Sequence, residues 1–207
     1  SDEEKLNAND NVDLCREFTE EEVKRAIFDM HPEKAAGPNG FTGLFFRKCW
    51  NIIKLDLMAA LLHFQKSNSQ NLYLLNSAIM ALLPKHQGAN KPQDFRPISL
   101  IHCFAKLVAK ILAARLQPLM NRLISQCQNA FIKGRSIHDN FVYVQALAKT
   151  LRQKKIPAVM LKLDISKAFD SVSWEFLLKL MRFRVFSQKW SDWISCLFLS
   201  SSTRILV

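Results

Sequence analysis

The sequence predicts an α+β fold, rich in helices and carrying one small antiparallel sheet. Three observations lead there. Several stretches repeat apolar side chains every three or four positions, the period of a helix with one buried stripe. Two short apolar runs, Ala78 to Leu83 and Phe95 to Ile101, face each other across a polar loop as the arms of a hairpin would. A third run alternates Val159, Leu161 and Leu163 with Met160, Lys162 and Asp164, the period of a strand with one face in a core.

The elements follow in order. Residues 1–18 are polar and without period, so they read as a flexible leader. Thr19 with Glu22 forms a capping box ahead of Val23, Ala26, Ile27 and Met30, a short amphipathic helix. Lys34 to Phe41, KAAGPNGF, holds two glycines and a proline and must be a structured turn; as a phosphate cradle it lacks the spacing of a P-loop. From Thr42 to about Lys66 the stripe Phe45, Cys49, Ile52, Ile53, Leu57, Leu61, Phe64 predicts a long helix with its aromatics in the core.

The hairpin comes next, and Pro97 places its second strand at an edge or bulge. Lys85 and Arg96 flank its loop: either two solvated charges or a two-pronged clamp for a triphosphate. A helix over about 103–123 turns Leu107, Val108, Ile111, Leu112 and Leu116 inward and Lys106, Lys110 and Arg115 outward, with a kink at Pro118. Gln128 to Ser136 is a loop pivoting on Gly134. Ser136 and Asp139 then open a helix to about Lys155, whose basic end suits the helix dipole. After the Val159 strand, Ser173 caps a helix through Arg184 and Ser187 another through about Ser200, and Thr203 to Val207 begins a strand.

At 207 residues, 49% hydrophobic and 23% charged, the chain has a globular composition and the length for one large domain or two small ones. Its formal charge of +11 is unevenly spread. Residues 1–33 hold 11 acids against 4 bases, and residues 34–207 hold 7 against 25, a net of +18. Such a body wants a polyanion, nucleic acid first and an anionic membrane surface second. The longest apolar region is broken by Lys106, Lys110 and Arg115, so no membrane span is expected. Five widely spaced cysteines without a CxxC argue against a disulfide framework and a zinc site and suggest a reduced, intracellular protein, mostly burying them. No histidine has a partner at ligand spacing, so none is assigned a metal or catalytic role.

The stretch with most chemistry is Val159 to Trp174, VMLKLDISKAFDSVSW. Asp164 and Asp170 cannot readily chelate one ion unaided. In a strand they would lie roughly 20 Å apart, and in a helix they would fall on separate faces. Either Asp164 caps a turn, or it binds Mg²⁺ with oxygen ligands from elsewhere.

Four segments in order, KAAGPNGF (34–41), FRPISL (95–100), NAFIKGRSIHDN (129–140) and LKLDISKAFDSVSWEFL (161–177), resemble the reverse transcriptases of non-LTR (LINE-type) retrotransposons, especially the plant ones. The resemblance runs from about residue 20 to 207. It implies a right-hand polymerase fragment, with 1–18 a leader, 19–157 the fingers with the first palm-adjacent helices, and 158–207 a truncated palm. It implies RNA-directed DNA synthesis on an RNA template and DNA primer from dNTPs, in the nucleus or cytoplasm. It further implies two Mg²⁺ ions in the complete polymerase, held by Asp164 and the carbonyl of Ile165. The amides of Lys167 and Ala168 match the turn that receives the triphosphate, and Phe169 the steric gate against ribonucleotides. Arg96 and Lys85 match the triphosphate-binding bases of the fingers. Gly134 and Arg135 match a motif near the template path, and Asp170 a structural position.

Mild departures occur at Ala36, Asn39 and Ile101-His102, where the family more often has Pro, Asp and Cys-Asn. The family's Tyr/Phe-Ala-Asp-Asp hairpin does not occur in the 207 residues, nor does an RGLRQGDPLSP-like segment. The resemblance therefore implies a chain inactive alone, completed by the rest of the palm and the thumb of the same polypeptide. A non-enzymatic basic nucleic-acid-binding remnant is the alternative. A helical protein for anionic membranes is a third reading, opposed to the expectation of no membrane partner.

Overall fold

In a computed structural model of the chain, which describes residues 5–66, 72–165 and 171–205, the elements fall into two units. One is Ala8–Arg115 with Phe186–Val207, the other Ser1–Asn7 with Leu116–Val185.

The first unit holds most of the core. Helix α1 (Ala8–Cys15) lies within the expected leader, and it buries Leu14, with Phe18 buried just after it. It is tied to the start of the last helix, where Ser187 N–H donates to Asn11 Oδ1 at 2.7 Å. Helix α2 (Glu20–Phe28) starts as its sequence requires, with the Thr19 hydroxyl accepting from Glu22 N–H and Val23 and Ile27 fully buried. The expected long helix from Thr42 divides at Cys49 into α3 (Gly43–Lys48) and α4 (Trp50–Lys66). A four-residue turn of helix, α5 (Leu72–Leu75), precedes the sheet.

Strands β1 (Ser77–Pro84) and β2 (Phe95–Ile101) form the antiparallel hairpin, with Ala78 opposite Ile101 and Pro84 opposite Phe95. Strand β3 (Ser202–Ile205) adds to the free edge of β1 in parallel, so the order is β2-β1-β3 and the sheet is mixed rather than antiparallel. A parallel neighbour needs a long crossover, and most of the chain lies between β1 and β3. Asn76 fixes that junction: its amide donates to Leu197 O and Ser200 Oγ, and its carbonyl accepts from Ser202 N–H.

Helix α6 (Cys103–Leu116) supplies the centre, with Leu107, Val108 and Ile111 fully buried, each worth about 1.5–3 kcal/mol of transfer free energy. Trp193 of the last helix packs beside Phe18 and Phe64, with the Trp190 ring centroid 6.2 Å from its own. Two residues depart from their expected places, and the first is Ile52 of the predicted apolar stripe, which is 80% exposed on α4. Arg115 is not outward; its side chain is 4% exposed and its guanidinium sits 4.5 Å from the Phe18 ring centroid. The burial is compensated by five hydrogen bonds: two to the Glu22 carboxylate and three to the carbonyls of Leu14, Arg16 and Glu17. Burial pushes the Glu22 carboxyl up, but Arg115, Arg16 and the Thr19 N–H together outweigh it and hold the carboxyl below its usual range.

In the second unit a 3₁₀ turn, Gln117–Leu119, follows α6 at Pro118, where the sequence predicts a kink, and leads to α7 (Met120–Leu123). Helix α8 (Ile137–Gln153) has the expected Ser136 cap, yet it buries no residue. Helix α9 (Trp174–Phe183), capped by Ser173, buries only Met181. Helix α10 (Gln188–Leu199), capped by Ser187, returns to the first unit.

The strand expected over 159–164 does not form. Residues 156–165 have no regular structure, with Val159 98%, Leu161 77% and Leu163 78% exposed. Alternation gives a strand its faces but not its ladder. None of the described strands pairs with this segment to accept its N–H groups.

None of the five cysteines is in a disulfide, but only Cys103 is buried, and Cys127 is exposed. Burial pushes the Cys103 thiol up, with Lys106 offsetting part of the shift. No helix among the described residues is long and apolar enough to cross a membrane.

Candidate functional site

The predicted residues fall in three places. The first is the hairpin. Leu83 pairs with Arg96, and Lys85 N–H donates to Asp94 O at 2.7 Å, extending the ladder one rung past Pro84. Lys85 lies one residue past the end of β1, and Arg96 lies on β2 opposite Leu83, so both cations sit at the loop end of the hairpin. The loop between them is braced. Asp94 accepts from the N–H groups of Asn90 and Lys91 and lies 3.5 Å from the His86 ring. The Lys85 ammonium itself donates to Gln93 O at 2.5 Å. Arg96 is exposed. Two cations at one end of a braced hairpin can grip an anion with more than one oxygen.

The second place is the 121–136 loop. Ile132 O accepts from Arg135 N–H in a turn whose third residue, Gly134, has φ +83°, a left-handed angle that glycine adopts without penalty. Arg135 spends its guanidinium on the loop. It donates to Asn121 Oδ1 and to the carbonyls of Asn121, Ile124, Ser125 and Gln128, at 2.6–3.2 Å. This arrangement makes Arg135 the organiser of the loop, which leaves surface contacts to its neighbours.

The third place is Asp164 with Ile165, both exposed on the irregular 156–165 segment. A carboxylate beside a backbone carbonyl is the kind of donor set Mg²⁺ accepts, with further positions left for water and phosphate oxygens. Among the described residues no group of three or more His, Cys, Asp or Glu side chains could hold a metal ion. Lys167, Ala168, Phe169 and Asp170 lie outside the described residues. Lys85 and Arg96 belong to the first unit, and Gly134, Arg135, Asp164 and Ile165 to the second.

Sequence reasoning does not single out a basic cleft of about 330 Å³ in the first unit, lined by His31, Lys34, Phe41, Lys106 and Lys110 among others. Lys106 and Lys110, four apart on α6, donate to Ala35 O and Asp29 O. Their spacing was the available signal, and it reads equally as a solvated helix face. Nearby, His102 Nδ1 is buried without a partner among the described residues; burial first, and then Lys106, keeps this imidazole neutral to lower pH. The turn at 34–41 is pinned to the same region. A Cβ on Gly37 would meet Ile101 O at 2.5 Å, where β2 ends.

The sequence profile of the family described as "Reverse transcriptase (RNA-dependent DNA polymerase)" matches residues 83–205, which takes in the hairpin's second strand, the 121–136 loop and Asp164. The chain is 26% identical over 92% of its length to the 149 kDa protein of transposon TX1 from Xenopus laevis. It is 28% identical over 94% of its length to a retrovirus-related Pol polyprotein from the type-1 retrotransposable element R2 of Nasonia vitripennis. To the corresponding polyprotein of the type-2 element R2DM of Drosophila melanogaster it is 29% identical over 75%. The chain spans only 14–18% of the length of these relatives.

Proposed function

The chain belongs to the reverse transcriptase (RNA-dependent DNA polymerase) family, and from that premise we propose that it is the fingers and the first part of the palm of a non-LTR retrotransposon polymerase. In this reading 19–157 are fingers, 158–207 begin the palm, and synthesis takes place only with the remaining palm and thumb in place. The observation that supports it is the braced hairpin, which carries Arg96 on β2 and Lys85 one residue past the end of β1, two cations that would together meet the phosphates of a dNTP. Asp164 and the Ile165 carbonyl would hold Mg²⁺, whose chemistry when bound is to neutralise phosphate charge and activate a primer hydroxyl. The turn at Lys167 and Ala168 would receive the triphosphate, with Phe169 against the sugar. The loop shaped by Gly134 and Arg135 would lie along the template, in keeping with the basic charge of residues 34–207.

The test is primer extension by a polypeptide continued through the rest of the palm and the thumb. Asp164→Asn should lower Mg²⁺-dependent extension by at least about 10³-fold, since it removes a metal ligand. Extension within about tenfold of the parent would refute the assignment. The competing reading, a basic nucleic-acid-binding remnant, predicts binding by the continued polypeptide with no extension at all.

A further inference from the structure

We propose that the basic cleft between α2, the 34–41 turn and α6 binds a terminal phosphate or a diphosphate, a compact anion of about two charges or more. The site shares no residue with the hairpin or with the Asp164 segment, and it stands whether or not the chain polymerises.

The cleft, about 330 Å³, is built within the first unit and takes three lysines, Lys34, Lys106 and Lys110, against one acid, Asp29. Lys106 and Lys110 stand one helical turn apart on α6, where side chains four residues apart are neighbours, about 5–6 Å from each other at Cβ. A surface lysine normally keeps its rotamer freedom until a ligand takes it away. Here both are already held. Lys106 Nζ donates to Ala35 O at 3.3 Å and Lys110 Nζ to Asp29 O at 3.1 Å. An ammonium has three donors, so each keeps others for a ligand. The tethers are neutral carbonyls, and neither lysine pairs with a carboxylate among the described residues, so both charges stay uncompensated.

The rest of the lining adds donors and is set in advance. His31 Nδ1 accepts from Glu33 N–H at 3.3 Å, which puts the proton of the neutral ring on Nε2. The Thr42 hydroxyl is not spent on capping the helix that follows it. Phe41 stacks on Phe45, ring centroids 4.2 Å apart, and Gly37 seats the turn so close to Ile101 that a Cβ would meet its carbonyl oxygen at 2.5 Å. A concave site with ammonium, imidazole and hydroxyl donors asks for charged oxygens. Two prearranged ammonium groups match a dianion better than the single charge of a backbone diester. A cleft of this volume also suits a strand's end or a small molecule, whereas a continuous strand needs a groove.

The experiment titrates the isotope-labelled 207-residue chain with pyrophosphate at low salt and follows its amide resonances. The amides of Lys34, Ala35, Thr42 and Gly43 should shift together along one saturation curve. Lys106→Gln and Lys110→Gln keep an N–H for the carbonyl but lose the charge. Each should weaken binding by about tenfold or more, because a hydrogen bond between two charged groups is lost. Lys149→Gln removes the same charge from α8 and should weaken it by less than about twofold; an effect equal to that of Lys106→Gln would mean that net charge alone is at work and would overturn the site. Oligonucleotides ending in a phosphate or in a hydroxyl separate the sources of the ligand. Displacement of pyrophosphate from Thr42 and Gly43 by the phosphorylated strand alone supports a strand end, and displacement by neither supports a small phosphorylated compound. Equal displacement by both would show that a diester suffices and would overturn the choice of a dianion. Unshifted amides at Thr42 and Gly43, or full affinity in both lysine variants, would leave the two lysines as latches of the turn and overturn the proposal.

Discussion

Arg115 and Arg135 organise the two units with the same number of hydrogen bonds, and the bonds are not worth the same. Arg115 gives two of its five to the Glu22 carboxylate and three to main-chain carbonyls, with a side chain 4% exposed and the Phe18 ring beneath it. Arg135 gives its five to amide oxygens alone, in a half-buried loop that water reaches. The number of bonds is equal, but what remains after the arginine is removed is not. Around Arg115 a partly buried carboxylate, left with Arg16 alone at 3.4 Å, and the part-buried carbonyl of Leu14 would lose their main donor, whereas around Arg135 solvent can replace the donors.

The largest effect should therefore follow Arg115→Ala, which is expected to cost about 3–5 kcal/mol in chemical denaturation, the usual penalty for orphaning a buried charge. A loss below about 1 kcal/mol would place Arg115 with surface pairs and erase the contrast. The same pair has a pH signature. Because the folded-state pKa of Glu22 is lowered, its contribution is present above the unfolded carboxylate pKa and is lost as pH falls through the folded value. The parent should lose stability more steeply on acidification than Arg115→Ala, and parallel curves would show that the pair does not carry the acid limb.

Arg135→Lys should cost less, about 1–2 kcal/mol, because lysine keeps the charge but not the planar fork that reaches five acceptors. Hydrogen exchange should quicken over 121–136, while α2 and α6 keep their protection. Nucleic-acid affinity should fall although the charge is conserved. If Arg135 met phosphate directly, lysine would preserve most of the binding, so retained affinity would move this arginine from shaping the loop to touching the ligand.

The contrast also marks what the residue pattern could convey. Features written in adjacent residues were legible: the caps at Thr19, Ser136, Ser173 and Ser187, the break at Pro118, and the Lys85–Arg96 hairpin, whose pairing closes over a short loop. Features that depend on distant partners were not. Amphipathic spacing puts Arg115 outside, since a cation is expected there unless a carboxylate arrives from a segment far away in sequence, and Glu22 does arrive. The leader conceals α1 because its buried anchors, Leu6, Leu14 and Phe18, are set among polar residues. That Lys34 to Phe41 is structured could be read from its glycines, but that Gly37 abuts Ile101 could not. For the candidate site, the hairpin that Lys85 and Arg96 flank was legible from local rules, whereas Asp164 was given a strand that pairs with none of the described strands.

The smallest predicted effect tests that last point. Leu161 belongs to the aliphatic face of the expected strand and is 77% exposed, so in this chain it has little burial to lose. Leu161→Ser should change stability by no more than about 0.5 kcal/mol, the range of surface substitutions. In a longer polypeptide that pairs 159–164 with a neighbouring strand, the same residue would enter a core, and the substitution should then cost about 2–4 kcal/mol through lost transfer energy and a buried hydroxyl. The difference between the two measurements reports how much of the Asp164 site is built by strand pairing. Equal small losses in both would mean that Asp164 is presented from an irregular segment even in the assembled protein. A large loss in the 207-residue chain would mean that the aliphatic face is already covered, and that the contrast between a filled unit and an open one does not hold in solution.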